Sequence, residues 1–301
     1  MRKSKIFYQF YKAIALATCL GVDKHSYKKG GCKKVKIFSF EDRRNIIKCI
    51  NQLCIYIEDS YPDIIKIKDI SSEHVNKFFS YKGRKCSKST MKNYRYCIRK
   101  MEKMVQQYLH LRVKYIDEDF KVDYDVDYIR SLEMSSNDIS IILNECRNSR
   151  SEARLGIELT VLFGLRVAEI CKLKGKDINL EDMYIHIHES KGKRSRNIKI
   201  DTLEKLEVCT RIKEQVANNE RVCKLKEDSV NAVIRRMLIK NKITTYSESK
   251  TGVHAIRKSY AKKTYVENLR KFNDEVKAWD KTAETLGHNA GRKSLKNVYV
   301  K

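Results

Sequence analysis

The sequence predicts a mainly α protein with a small antiparallel β-sheet, an α+β chain in two parts. Three observations lead to that class. Apolar residues recur at three- and four-residue spacing along most of the 301 residues, whereas strand-like alternation is confined to residues 183–200. One stretch, DEDFKVDYDVDYIR at 117–130, is acidic and poor in helix signals, so it divides the helical pattern in two. A hydrophobic content of 42% suffices for two modest cores. The expected organisation is a short helix and basic linker over 1–35, which could act as a separate arm, then a helical domain over 36–128 and a second domain over 131–301.

The opening, MRKSKIFYQFYKAIALATCLG, imitates a secretion signal, with a basic start and an apolar run from Ala13 to Leu20. Gln9 and Lys12 interrupt it, and no stretch approaches the roughly 20 apolar residues that span a bilayer. It reads as a helix. Residues 24–36, KHSYKKGGCKKVK, join paired glycines to dense positive charge and read as a linker. From Ser39 as N-cap, Ile46, Ile47, Ile50, Leu53, Cys54 and Ile57 fall at helical spacing, and Pro62 closes that segment. A second helix is expected from Ser71 or Ser72, burying Val75, Phe78 and Phe79. A third, from near Ser89, buries Tyr94, Cys97, Ile98, Met101, Met104, Val105 and Tyr108.

The second domain opens with capped helices at Ser136 and Ser151, the latter running to Gly164. A strand pair follows at 183–188 and 197–200, and later helices are expected over 202–217, 228–240, 254–268 and 274–286.

Charge narrows the function. Lys and Arg number 64 against 38 Asp and Glu, a net charge of +26, so a polyanionic partner is expected. The cations are spread along the chain rather than gathered on one amphipathic helix, which favours nucleic acid over a membrane surface. On the third helix and its approach, Lys85, Lys88, Lys92, Arg95, Arg99, Lys100 and Lys103 occupy the faces that the apolar stripe leaves free, where they could follow phosphates. None of the ten cysteines forms a CxxC pair, so they read as reduced thiols of a cytoplasmic protein rather than as metal ligands or disulfides.

Chemistry on a phosphodiester needs cations aimed at the non-bridging oxygens, and three clusters offer them. In GLRVAE, an apolar helix stops at Gly164, Arg166 emerges, and Glu169 sits three residues on. In GVHAIRKSYAKK, His254 and Arg257 lie three apart on one helix face. In LGH followed by SLKNVYV, Tyr299 stands eleven residues beyond His288, a span that a turn and a short helix fill. Tyr260 and Tyr265, beside the second cluster, are alternative nucleophiles. His186 and His188 alternate on a strand, but a third metal ligand at suitable spacing is missing.

These clusters resemble the tyrosine recombinase (phage integrase) family, whose catalytic domains carry Arg, Lys, His-x-x-Arg, His and a terminal Tyr in that order. GLRVAEICKLKGKDINL, ESKGKRSR, HAIRKSYAKK and LGH carry the likeness, which covers residues 36–301; SKSTMKNYRYCIRKM resembles the family's helical, SAM-like core-binding domain. The His-to-Tyr spacing is two residues longer than the family's usual nine.

The resemblance implies a core DNA-binding domain over 36–128 and a catalytic domain over 131–301. Arg166 and Arg257 would clamp the scissile phosphate, with His254 and His288 hydrogen-bonding its oxygens or exchanging protons, and Glu169 supporting. Lys191, with Lys193 as competitor, would protonate the leaving 5′ oxygen, and Tyr299 would be the nucleophile. A phenol ionises near pH 10 in water, so it needs activation by its surroundings. Lys88, Lys92, Arg95, Arg99 and Lys193 are the candidate DNA contacts. No cofactor is implied: a phosphotyrosyl bond conserves the energy for religation. The implied partners are double-stranded DNA with specific recombination sites and three further copies of the chain, in a homotetramer that works through a Holliday junction. Accessory DNA-bending proteins are compatible with it. Integration, excision or resolution of a mobile element or plasmid is the implied role, with a type IB-like DNA topoisomerase or a catalytically inactive DNA-binding relative as rivals.

Overall fold

The computed structural model describes residues 5–31, 34–117, 132–147, 149–190, 194–246, 252–288, 291 and 293–299. The chain divides into two units, Met1–Tyr128 and Ile129–Lys301. The acidic segment read as the interdomain linker lies, but for Asp117, outside the described residues.

The first unit is helical. Helix α1 (Lys5–Ala17) buries Ile6, Phe7, Phe10, Ala13, Ile14 and Ala17, one stripe at three- and four-residue spacing. That stripe packs on α3 (Phe40–Ser60) and α5 (Lys88–Leu109), so the helix is part of this unit's core and not a free arm. The run after it is tied down as well: Cys19 N–H donates to the Ile37 carbonyl and Ile37 N–H to that of Ala17, at 2.8 and 2.9 Å. Part of the basic stretch read as linker is a short helix, α2 (Lys24–Lys29). Asp23, just before it, accepts from Ser26 N–H at 2.8 Å, a cap that the charge density of the segment obscured. Ser39 caps α3 and Ser87 caps α5, accepting from Asp42 and Thr90. Helix α4 (Ser72–Gly83) buries Val75, Phe78 and Phe79 as expected.

In the second unit, α7 (Glu152–Phe163) is the central element. It packs against α6 (Ser136–Arg147), α9 (Leu203–Gln215), α10 (Glu227–Lys240) and α11 (Val253–Phe272). Eight of its twelve residues are buried, including Glu158, whose carboxylate accepts from Arg211 at 2.6 Å. The cap of α6 is Ser135, one residue earlier than expected, accepting from Asp138 N–H at 3.1 Å. The sheet has a third, two-residue strand besides the hairpin: β1 (Ile178–Asn179), β2 (Tyr184–Ser190) and β3 (Arg194–Lys199), antiparallel in that order. Ile185, Ile187, Ile198 and Ile200 line the face turned to the core. Between α7 and the sheet sits the one-turn α8 (Val167–Ile170). A smaller core joins α11 to α12 (Glu275–Thr285) and α13 (Lys293–Tyr299) through Ala261, Tyr265, Trp279, Leu286 and Tyr299.

Phe10 is fully buried and meets the Tyr115 ring edge-on at 5.7 Å between centroids. Phe10→Ala should therefore cost about 3–5 kcal/mol of stability, read by chemical denaturation. A loss below about 1 kcal/mol would mean that α1 is peripheral to the core.

Candidate active site

Three chain segments of the second unit meet, and each is held by the next. Helix α7 stops at Gly164, whose φ of 63° and whose contact with Tyr260 both demand glycine: a Cβ there would lie 2.3 Å from the ring. Arg166 then caps α8. Glu169, buried inside that turn, reaches back with one oxygen to Arg166 N–H at 2.9 Å and with the other to the guanidinium at 2.6 Å. The same carboxylate takes a second guanidinium, that of Arg196 on β3, through both oxygens at 2.9 Å. Sequence reasoning missed Arg196. The signal lay in its parity: it alternates with Ile198 and Ile200, so a cation stands on the core-facing side of the strand and needs a buried anion.

Helix α11 begins at Gly252 and carries His254, exposed, and Arg257, 1% exposed. Arg257 donates to the Gly164 carbonyl and, at 2.5 Å, to that of Leu286. Burial, and then the neighbouring Arg166, push its pKa down to about 10, while Tyr299 and Glu169 oppose the fall. It stays charged at neutral pH. Its buried Nε has no hydrogen-bond partner among the described residues.

The third segment is the turn after α12. Gly287, at φ 69°, has the Arg196 guanidinium where a Cβ would go, 2.7 Å away. His288 Nε2 lies 3.1 Å from Arg166 Nη2. A guanidinium only donates, so the ring accepts there and is neutral, with its proton on Nδ1. Helix α13 brings in Tyr299, 6% exposed, its ring 5.8 Å from that of His254 and 5.9 Å from that of His288. A cavity of about 450 Å³ opens beside this group, lined by Arg166, Glu169, Lys172, His188, His254 and Arg257 among others.

The fold thus gathers Arg166, Glu169, His254, Arg257, His288 and Tyr299 from sites up to 133 residues apart in a 301-residue chain. Lys191 and its competitor Lys193 lie outside the described residues, in the connection between β2 and β3. Of the alternative nucleophiles, Tyr260 packs on Gly164, where burial raises its pKa, and Tyr265 packs on Trp279. The His186 and His188 rings stand 4.3 Å apart, and His188 pairs with Asp177 at 3.0 Å. Among the described residues no group of three or more His, Cys, Asp or Glu could hold a metal ion.

In the first unit, Lys92, Arg95 and Arg99 line a groove of about 750 Å³ together with Lys34, Lys36, Tyr27 and Phe38 from the segment ahead of α3. Lys88, in the first turn of α5, is exposed but not among the lining residues. Among the described residues no helix is long and apolar enough to cross a membrane.

Residues 133–270 match the family model described as the phage integrase family. The match lies within the second unit and covers most of it. The fold is that of solved tyrosine recombinases. The chain is similar to the XerH site-specific recombinase bound to its difH substrate, at 16% identity and a TM-score of 0.66, over 100% of this chain and 94% of that one. It is similar to a lambda integrase dimer bound to a COC′ core site, at 16% identity and 0.64, over 92% and 93%. The Tn1549 transposon integrase in complex with circular intermediate DNA matches at 13% identity and 0.62, over 99% and 96%. Among curated protein sequences no significant match is found.

Gly164→Ala should cost at least about 1–2 kcal/mol from the left-handed backbone alone, with more from the Tyr260 contact. Thermal unfolding measures it; an unchanged melting temperature would show that the turn before Arg166 does not need this conformation.

Proposed function

We propose that this protein cleaves and rejoins DNA as a tyrosine site-specific recombinase, with Tyr299 as its nucleophile. The observation that carries this reading is the placement of the Tyr299 ring within 6 Å of both His254 and His288, next to two arginines held in fixed positions.

The phenol oxygen of Tyr299 attacks the scissile phosphorus and loses its proton to one of the flanking imidazoles. His254 suits that step, because the His288 Nε2 lone pair is engaged by Arg166 and its Nδ1 already carries a proton. As the phosphotyrosyl bond to the 3′ side forms, the bond to the 5′ oxygen breaks, and that oxygen takes a proton from Lys191, with Lys193 as the other candidate. Negative charge grows on the non-bridging oxygens during the step. Arg166 and Arg257 stabilise it, and a phosphate oxygen supplies the partner that Arg257 Nε otherwise lacks. Attack by a 5′ hydroxyl then reverses the chemistry and releases Tyr299. No bond energy is lost between the two steps, so the reaction needs no nucleotide triphosphate.

The partner is double-stranded DNA carrying specific sites. Lys92, Arg95 and Arg99 bind its phosphates, with Lys88 at the edge of that surface and Lys193 as a further candidate contact. A relative in the solved structures is a lambda integrase tetramer bound to a Holliday junction, and a homotetramer exchanging strands in that manner fits this chain. Integration, excision or resolution of a mobile element or plasmid is the biological setting. A DNA substrate and a charge of +26 favour a cytoplasmic protein, associated with the nucleoid when bound.

The decisive experiment incubates the protein with nicked duplexes drawn from the flanks of its own gene and looks for a covalent adduct on denaturing gels. Wild type should give the shifted band, and Tyr299→Phe should give none while still binding DNA; an adduct from the variant would overturn the assignment. Arg166→Ala should slow adduct formation by about 10²–10³ or more. Lys92→Ala and Arg99→Ala should each lower the salt dependence of DNA binding by roughly one unit of slope without changing sequence preference. An unchanged slope would remove that residue from the DNA surface.

A further inference from the structure

Arg196 makes three hydrogen bonds within the site, yet it does not line the cavity. Its side chain is 11% exposed, and each of its nitrogens is engaged. Nη1 and Nη2 grip the two oxygens of Glu169, and Nε donates to the Thr285 carbonyl at 3.1 Å. Its guanidinium also fills the space that makes Gly287 a glycine. One side chain on β3 therefore fastens the hairpin to α8, which holds Arg166, and to the turn that presents His288.

The charge balance around Glu169 gives this contact a role in the chemistry. Glu169 is a single buried carboxylate facing two guanidinium groups, and each of its oxygens accepts from both residues. With Arg196 in place, one negative charge is shared between two cations, and Arg166 keeps net positive character toward the cavity. Without Arg196, the whole carboxylate charge falls on Arg166. In a site shielded from water that neutralises the cation most directly linked to His288 and draws its guanidinium inward.

We propose that Arg196 is a positioning residue that keeps Arg166 available to the scissile phosphate by drawing off part of the Glu169 charge, and that holds the His288 turn in register. The inference rests on the strand-cleavage reading above. It predicts a loss in the chemical step and not in DNA affinity, because Arg196 does not line the cavity.

The test is single-turnover adduct formation on a nicked duplex by wild type, R196A, R196K and the double variant R196A/E169Q, with DNA affinity and melting temperature measured for each. R196A should react on the order of 100-fold more slowly at nearly unchanged affinity. R196K, which restores the charge but not the two-pronged grip, should fall between. The double variant should be faster than R196A, because removing the unbalanced carboxylate frees Arg166. A scaffolding role alone predicts the opposite, since losing both partners would loosen the site further. R196A reacting at the wild-type rate, or R196A/E169Q reacting more slowly than R196A, overturns the proposal while leaving the cleavage reading intact. Absence of any adduct with wild type overturns both.

Discussion

The guanidinium of Arg257 is enclosed in protein, and its two terminal nitrogens hold the carbonyls of Gly164 and Leu286. Those carbonyls end two helices, α7 and α12, which would otherwise leave unpaired acceptors at their C-termini. Burying a cation among backbone carbonyls is costly, and the depressed pKa of Arg257 records that cost. What the cost secures is geometry. The residue after Gly164 and Leu165 is Arg166, and the residues after Leu286 are Gly287 and His288, so the same side chain sets the origin of both flanking groups. Tyr299 packs into the apolar cluster that includes Leu286 and so inherits that reference point.

Around this anchor the site carries more positive charge than its own carboxylate balances. Arg166, Arg196 and Arg257 face one Glu169, and the mutual repulsion of Arg166 and Arg257 is part of what lowers the pKa of the latter. Such a cluster is strained by itself and relaxed by an arriving anion. The favourable response grows with the negative charge on the ligand, so it is larger for a pentavalent phosphorus transition state than for a resting diester. The scaffold bears this arrangement because α7, with eight of its twelve residues buried, lies beneath it, and its internal carboxylate, Glu158, is neutralised by Arg211.

Much of this was legible in the sequence, for identifiable reasons. The long helices were visible because burial imposes a period on them: α3, α5 and α7 show it in Ile46 to Ile57, in Cys97 to Val105 and in Leu155 to Phe163. The candidate reacting groups could be named because an Arg, a His-x-x-Arg and a His before a Tyr stand in the order that the tyrosine recombinase family carries. Three features were not. Helix α2 depends on a single Asp23 cap inside a run of lysines, too local a signal to outweigh composition. Strand β1 has only two residues and exists because β2 offers an edge, which no pattern within residues 178–179 encodes. Arg196 was hidden because its partner Glu169 lies 27 residues away across the sheet, and two arginines sharing one carboxylate cannot be counted until the fold brings them together.

Tyr299, the proposed nucleophile, is held differently from the groups proposed to receive the phosphate. Helix α13 has seven residues, too few to be stable alone in water, so its position depends on what it packs against. Among the described residues that support includes Leu295, Val298 and Tyr299 in the apolar cluster with Tyr265 and Trp279, the Tyr299 ring beside His254, His288 and Arg257, and an ion pair from Lys296 to Glu275 at 2.6 Å, in which Glu275 is exposed. Exposed pairs of this kind contribute at most about 1 kcal/mol. Arg166 and Arg257, by contrast, are each held by more than one side-chain hydrogen bond, Arg166 to Glu169 and His288 and Arg257 to the carbonyls of Gly164 and Leu286. A phosphate cradle fixed by buried hydrogen bonds and a tyrosine carried on a short helix divide the labour in the way the proposed chemistry requires. The charge that develops must meet fixed dipoles, whereas the tyrosine must approach the phosphorus, carry it as an ester and withdraw from it once the strand is rejoined.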